Sequence, residues 1–324
     1  MNVRMCKPYF PPGTLDAVGD VLDSGWVAGG EKADEFAEMV AKIEGYDYGV
    51  ATSSCSTALL AALHTYPFWD KDTIRIPHIT FPATLTQVLA AGYEPLITDR
   101  DFDMGVDVLG LKVGDREWPI GDCACSLGSV ADTSVPPEIA CYSFHARKPV
   151  STGEGGCLCT NNKRLYDRAR NIIYHGKRTG FDFGYNFRLS DIQAAIGIVQ
   201  LNKFDFILSR RHYLAHKYNR YLPDGVSVWG QEGRDVNYDY NYQSFVVMVP
   251  GSSLDVSDIL DNLKIRGVEC CQGTSRLHKM ANYEDYIDPW AEFTDYNFVT
   301  LPFYIGLDEG EIRYVCNVLE DALS

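Results

Sequence analysis

Ser143-Phe144-His145-Ala146-Arg147-Lys148, followed by Thr152-Gly153-Glu154-Gly155-Gly156, sets a serine and a lysine five residues apart between two apolar runs, Ile139 to Phe144 and Cys157 to Cys159. The first run predicts a buried strand that delivers both side chains into a turn. The glycine pair lets the backbone fold back tightly, because glycine takes φ > 0 without steric cost. A lysine held in such a place can be desolvated, which frees the amine as a nucleophile for a Schiff base with a carbonyl cofactor. A surface lysine in a polar loop, the usual fate of lysine, fits the same stretch equally well.

Two further constellations could do chemistry. Tyr48 to Thr52 reads as a short strand running into Ser53-Ser54-Cys55-Ser56-Thr57, and Ala58 to Tyr66 as a helix of good formers. A strand, a hydroxylated turn and a helix start form a phosphate-binding geometry, since free N–H groups and the helix dipole face the anion. Plain N-capping by Ser56 or Thr57 would leave the same residues. Pro119-Ile120-Gly121-Asp122 is a short strand ending in a carboxylate, which serves either a ligand or a loop cap.

The elements that must position these residues alternate. Strands are expected at Ile74 to Pro77 and Glu94 to Thr98, with a helix from Phe81-Pro82-Ala83-Thr84 to Ala91 between them. This is the βαβ grammar of a mostly parallel sheet with ligand sites at the strands' carboxyl ends. Further helices are expected at Thr14 to Leu22, Lys32 to Glu44, Lys163 to Ile173, Ser190 to Leu201 and Asp205 to Tyr221, with a Gly- and aromatic-rich loop from Arg178 to Tyr185. Phe36, Met39, Val40 and Ile43 form one stripe of the second helix. From Pro223 the texture changes to strands at Tyr242 to Val249, Gly267 to Cys271 and Phe298 to Leu301, and helices at Ser257 to Arg266 and Glu309 to Leu323. The expectation is a large domain over 1–205, including an N-terminal arm, and a smaller α+β domain over 206–324.

The 324 residues are 46% apolar and 23% charged, ordinary for a globular chain with an ample core. A net charge of -15 argues against nucleic-acid binding, which needs a basic footprint, and leaves room for a small anionic ligand at a local cluster. No apolar run follows Met1 to Cys6, so no signal peptide is expected, and no stretch approaches the roughly 20 apolar residues of a membrane span. Of ten cysteines, Cys55, Cys141, Cys157, Cys159 and Cys316 sit inside apolar runs. That fits free buried thiols in a reducing compartment, hence a cytoplasmic protein. Cys123-x-Cys125 and Cys157-x-Cys159 have one intervening residue, not the two or more of common zinc knuckles, and no metal centre is expected.

In this order the segments resemble the DegT/DnrJ/EryC1/StrS sugar aminotransferase family, pyridoxal-phosphate enzymes of the fold-type-I class. The matching text is Ser24-Gly25-Trp26, Ser54-Cys55-Ser56-Thr57-Ala58-Leu59, Thr80-Phe81-Pro82-Ala83-Thr84 and Asp122-Cys123-Ala124-Cys125-Ser126-Leu127-Gly128. It continues through the lysine block, Gly184-Tyr185-Asn186-Phe187-Arg188-Leu189-Ser190, Gly273-Thr274, Leu277-His278 and Leu301-Pro302, covering nearly the whole chain. The resemblance implies an α/β large domain whose helices sandwich a mostly parallel sheet, and a smaller α+β domain. It implies pyridoxal 5'-phosphate bound to Lys148, with Asp122 on the pyridine nitrogen, Phe81 on the ring face, and Ser56, Thr57 and Ser143 on the phosphate. Asn186 resembles the family asparagine that reaches the neighbouring subunit's phosphate, so a homodimer with shared active sites is implied. His145, Arg188 and His278 are candidate substrate contacts. The implied reaction moves an amino group, with L-glutamate the expected donor, to a keto group of a nucleotide-linked deoxysugar.

Several positions depart from the family pattern. Its usual glycine in the phosphate turn is Cys55, a glutamate before the cofactor aspartate is Gly121, and the glutamine near the cofactor's 3-hydroxyl is Cys125. Only twenty residues separate Asp101 from Asp122, which implies a large domain shortened by about one βα unit. A dehydratase branch replaces the lysine with histidine, and Lys148 argues against it. The alternatives are an aminotransferase for a cyclitol or other non-nucleotide ketone, a non-catalytic cofactor-binding regulatory homologue, and a redox or metal role for the cysteines.

Overall fold

The computed structural model describes residues 1–68, 71–112, 116–131, 135–177, 183–249, 255–293 and 297–324. The chain begins with helices α1 (Thr14–Ser24) and α2 (Glu31–Ile43), then alternates β1 (Tyr48–Thr52), α3 (Cys55–Thr65), β2 (Thr73–Pro77), α4 (Ala83–Ala90) and β3 (Glu94–Thr98). Strands β4 (Met104–Val106), β5 (Ile120–Asp122), β6 (Ile139–Ser143) and β7 (Gly156–Thr160) follow, and then helices α5 (Lys163–Ile173), α6 (Asp191–Leu201) and α7 (Phe204–Tyr221). The C-terminal part holds β8 (Ser227–Val228), β9 (Phe245–Met248), α8 (Val256–Ile265), β10 (Phe298–Leu301) and α9 (Glu309–Leu323).

Five strands form one sheet in the order β1-β7-β6-β5-β4. β4, β5 and β6 pair in parallel, whereas β7 is antiparallel to both β6 and β1. Reversal of β7 alone therefore leaves β1, β4, β5 and β6 pointing the same way. β2 and β3 form a parallel pair beside this sheet, linked to the start of β4 where the Asp103 amide donates to the Arg75 carbonyl at 3.0 Å. Alternate strand residues face opposite layers, as the two-residue period requires. Ile139, Cys141 and Leu158 pack with α3, α4 and α5, while Ala140, Tyr142 and Cys157 pack with α2 and α6. On the latter side Phe36 meets Phe144 edge-on at 4.7 Å.

A second core gathers the antiparallel sheet β10-β9-β8 with α8, α9 and the latter half of α7. Helix α7 belongs to both cores: Phe204 and Ile207 pack with α2 and α6, Leu214, Ala215 and Tyr218 with α9. The segment after α8 returns to the first sheet, where the Leu277 amide donates to the His78 carbonyl at 2.8 Å and the Thr80 amide to the Ser275 carbonyl at 3.2 Å.

Helices fall where apolar spacing puts them; the differences lie in short strands. β4 and β8 have two or three residues each, too few for a period to show. β4 lies in the stretch between Asp101 and Asp122 and is followed by the 3₁₀ turn Val108–Gly110. Gly267 to Cys271 makes only isolated bridges, Val3 with Val268 and Cys271 with Thr300. The strand expected from Tyr242 starts at Phe245, because Tyr242 stands at φ 48°, a left-handed conformation outside any strand. Of the loop expected over 178–185, residues 178–182 lie outside the described residues.

Candidate active site

The aligned strands bring their carboxyl ends to one cavity of about 410 Å³. Lys148, Asp122, Cys125, Ser143 and His145 line it from the sheet side, and Ser56 and Phe81 from the starts of α3 and the segment before α4. The antiparallel turn from β6 to β7 holds Lys148, whose amide donates to the His145 carbonyl at 2.9 Å. Its Nζ donates to Cys125 Sγ at 2.9 Å, so a thiol faces the amine where the family pattern has an amide. The positive φ in this turn belongs to Gly153, at 81°. Gly155 and Gly156 are needed for a different reason, close approach. A Cβ on Gly156 would stand 2.3 Å from the Ser54 carbonyl oxygen and 2.6 Å from the Cys55 nitrogen. The bare backbone of Gly156 lets β7 pass against the start of α3, and a Cβ on Gly155 would stand 2.3 Å from Thr152 Oγ1.

Asp122 ends β5 and is buried. Thr84 Oγ1 donates to its Oδ2 at 2.8 Å and the Ala124 amide to its Oδ1 at 3.2 Å. Burial pushes its pKa above the ordinary carboxylate range, against the pull of these two donors and of the Lys148 charge. A cation placed at this carboxylate would relieve that cost. Behind it the Asp107 amide donates to the Asp122 carbonyl at 3.1 Å. The Asp107 carboxylate takes a two-pronged contact from Arg116, at 2.9 and 2.7 Å, and 2.6 Å from the Ser126 hydroxyl.

At the phosphate-type turn, Ser54 is the N-cap of α3. Its side chain accepts from the Thr57 amide at 3.2 Å, and Thr57 Oγ1 accepts from the Ser54 amide at 3.1 Å. Thr57 is therefore committed to the capping box and does not line the cavity, whereas Ser56 does. Cys55 occupies the first helical position without a positive φ, so replacing the family glycine carries no backbone strain. Its buried thiol donates to the Cys141 carbonyl at 3.6 Å, and burial raises its pKa strongly, which keeps it protonated. With the Thr57 amide taken by Ser54, the Cys55 and Ser56 amides have no carbonyl four residues earlier within the helix, and with Ser56 and Ser143 they offer an anion site.

Besides Thr57, three candidate residues lie outside this cavity. Asn186 is exposed and accepts from Arg188 Nε at 2.9 Å, and the Arg188 guanidinium lies over the Tyr174 ring at 5.2 Å. His278 stacks on Phe293 at 4.6 Å and meets His78 edge-on at 5.2 Å. Conversely, Thr84, Asp107, Arg147 and Gln243 belong to the site without a role expected from the sequence, although Thr84 and Arg147 stand inside the matching stretches.

A short C-terminal segment braces the loops around the cavity. Asn241 Nδ2 donates to the carbonyls of Cys125 and Leu127, both at 2.8 Å, and Gln243 Nε2 to that of Arg147 at 3.1 Å. The Tyr240 hydroxyl donates to the Leu109 carbonyl at 2.8 Å. The segment's own carbonyls converge on buried Arg211, which contacts Asn241, Tyr242 and Gln243 at 2.6 to 3.2 Å.

The DegT/DnrJ/EryC1/StrS aminotransferase family model matches residues 12–108 and 118–320. The chain belongs to this family. The break at 109–117 falls between β4 and β5. The chain is 24% identical over 363 aligned residues to GDP-perosamine synthase of Escherichia coli O157:H7, covering 99% of each. In structure it is similar to Helicobacter pylori PseC, described as an aminotransferase of pseudoaminic acid biosynthesis, with TM-score 0.85, 21% identity and 100% and 99% coverage. It is equally similar to a Streptococcus pneumoniae protein named as a sugar aminotransferase and solved in its PLP form, with TM-score 0.84, 20% identity and full coverage of both chains. The fold is that of fold-type-I aminotransferases, and the family cofactor is pyridoxal 5'-phosphate. The donor set suits that cofactor: an amine for an aldehyde, a buried carboxylate short of a cation, and a helix start for a phosphate. Among the described residues no helix is long and apolar enough to cross a membrane, and no cluster of three or more His, Cys, Asp or Glu is arranged for a metal.

Proposed function

We propose that this protein is a homodimeric, cytoplasmic transaminase that moves an amino group from L-glutamate to a keto group of a nucleotide-linked deoxysugar. The observation that carries the reading is one cavity shared by the Lys148 amine, the Asp122 carboxylate and the serine-lined start of α3. The name of the GDP-perosamine synthase relative supports a nucleotide-linked sugar as acceptor.

Pyridoxal phosphate, when bound, supplies an aldehyde and an electron-accepting ring. Lys148 would hold the aldehyde carbon and, once released, carry a proton to and from the substrate carbon. Asp122 would keep the ring nitrogen protonated, with Thr84 and the Ala124 amide fixing its two oxygens. Ser56, Ser143 and the first-turn amides would hold the phosphate. Phe81, 69% exposed at the cavity wall, would cover one ring face. Cys125 would stand beside the reacting amine, and Asn186 would act in the neighbouring subunit's site. Residues 1–205 would form the cofactor domain and 206–324 the smaller domain that braces it.

The purified protein mixed with cofactor is expected to absorb visible light, and borohydride is expected to fix the cofactor covalently. Lys148→Ala abolishes that fixation. Turnover with glutamate is then assayed on nucleotide ketosugars against keto-inositols. A protein that stays colourless, or one that aminates only keto-inositols, defeats the reading.

A further inference from the structure

Beside Lys148 stands a cation that no carboxylate among the described residues answers. Arg147 is exposed and lines the same cavity. Its main chain is pinned, the amide donating to His145 Nδ1 at 3.3 Å and the carbonyl accepting from Gln243. Its guanidinium reaches only a thiol, Cys271 Sγ at 3.5 Å, and among the described residues no carboxylate pairs with it. Other arginines find oxygens: Arg75, Arg116, Arg170 and Arg313 pair with carboxylates, and Arg210 and Arg211 donate to backbone carbonyls. What sets Arg147 apart is that its guanidinium meets a thiol and, among the described residues, no oxygen acceptor, at the mouth of a cavity in a chain with 44 acidic residues to 29 basic ones. Glu154, on the same cavity wall, lies instead toward His145 Nε2 at 3.8 Å.

We propose that Arg147 is the cavity's receptor for a substrate oxyanion. The inference rests on the transaminase reading, in which both substrates bring oxyanions: the carboxylates of the amino-acid donor and the diphosphate of the nucleotide sugar. The phosphate of the cofactor has its own donors at α3, and the Lys148 amine is taken by the aldehyde. Arg147 is then the remaining permanently charged cation among the described residues lining the cavity, and its planar fork matches either group with two parallel hydrogen bonds. Its place next to Lys148 in sequence ties the anchored anion to the reacting amine.

The test compares wild type, Arg147→Gln and Arg147→Lys as cofactor-loaded proteins. Each is titrated by calorimetry with glutarate, which has the donor's two carboxylates but nothing to react, and separately with a nucleoside diphosphate. KM and kcat are measured for each substrate in parallel. R147Q is expected to weaken one of the two ligands about ten- to hundredfold and to raise the matching KM alike, with kcat little changed. R147K recovers part of the loss, because it keeps the charge and loses the fork. Weakening of glutarate assigns the anion to the donor, and weakening of the diphosphate assigns it to the sugar nucleotide. If both ligands bind R147Q as they bind wild type, the inference is overturned even when the wild type is an active transaminase. If the wild type aminates no nucleotide ketosugar, the transaminase reading fails, and the glutarate arm still decides the role of Arg147.

Discussion

Burial governs Asp122 more than any partner does. Desolvation is the largest influence on its carboxyl and, with the Asp107 charge, outweighs Thr84, the Ala124 amide and Lys148, leaving the pKa raised. The folded chain therefore binds this proton more tightly than the unfolded chain. Stability from this group is highest below the ordinary carboxylate range and falls as pH rises from there to the raised folded value. Asp122→Asn removes that loss. Cofactor-free D122N is expected to melt higher than wild type at neutral pH, with the gap closing below about pH 4. Cofactor retention should fall in the same variant, because the cation loses its counter-charge. Melting curves against pH decide the matter, and a variant that melts lower at neutral pH refutes the account. Lys148, Asp122, Ser56, Ser143 and Phe81 were legible because each stands at a strand end or a helix start marked by local sequence. Thr84 was not, since its hydrogen bond to Asp122 spans 38 residues and exists only once α4 packs beside β5.

At the scale of elements, the same contrast separates helices from strands. Helices α5, α6 and α9 carry an apolar stripe and a side-chain cap, Asn162, Ser190 and Asp308 respectively, so sequence alone bounds them. β4 is set by pairing with β5, which no local pattern reports. The brace at Tyr240–Gln243 is equally hidden, because it depends on Tyr242 in a conformation that sequence does not mark. That conformation turns three successive carbonyls toward Arg211, a buried cation with no acidic partner among the described residues, whose pKa burial lowers to about 10. Arg211→Met would strip these carbonyls of their donors, at about 3 kcal/mol or more. Denaturant unfolding should show that loss. Arg211→Lys should recover only part of it, since one ammonium cannot span the three carbonyls. Because Asn241 and Gln243 hold the loops of Cys125 and Lys148, the Arg211→Met protein that remains folded should also form the borohydride-fixable cofactor linkage more slowly. Wild-type stability in that variant would show the brace to be dispensable.

The whole molecule raises a question that one chain does not answer, namely what Asn186 is for. It is exposed, tied to Arg188 and outside its own cavity, yet it lies one turn before the helix that packs under the lysine loop. At the other end of the chain Phe10, Leu15, Leu22, Trp26 and Val27 are all exposed, an apolar run along the arm and α1. The dimer proposed above would answer both facts at once, a second copy covering the apolar face and receiving Asn186 in its active site. Mixed dimers separate this from a purely local role. Lys148→Ala and Asn186→Ala are each expected to be nearly inactive alone, one lacking the amine and the other a phosphate contact. In a mixed dimer, the site built on the Asn186→Ala chain keeps its own Lys148 and receives Asn186 from the Lys148→Ala chain. Unfolding and refolding the two variants together should make about half the dimers mixed, with one sound site in each, and restore about a quarter of wild-type turnover. If Asn186 served its own chain's site, every site in the mixture would lack one residue or the other, and activity would not return.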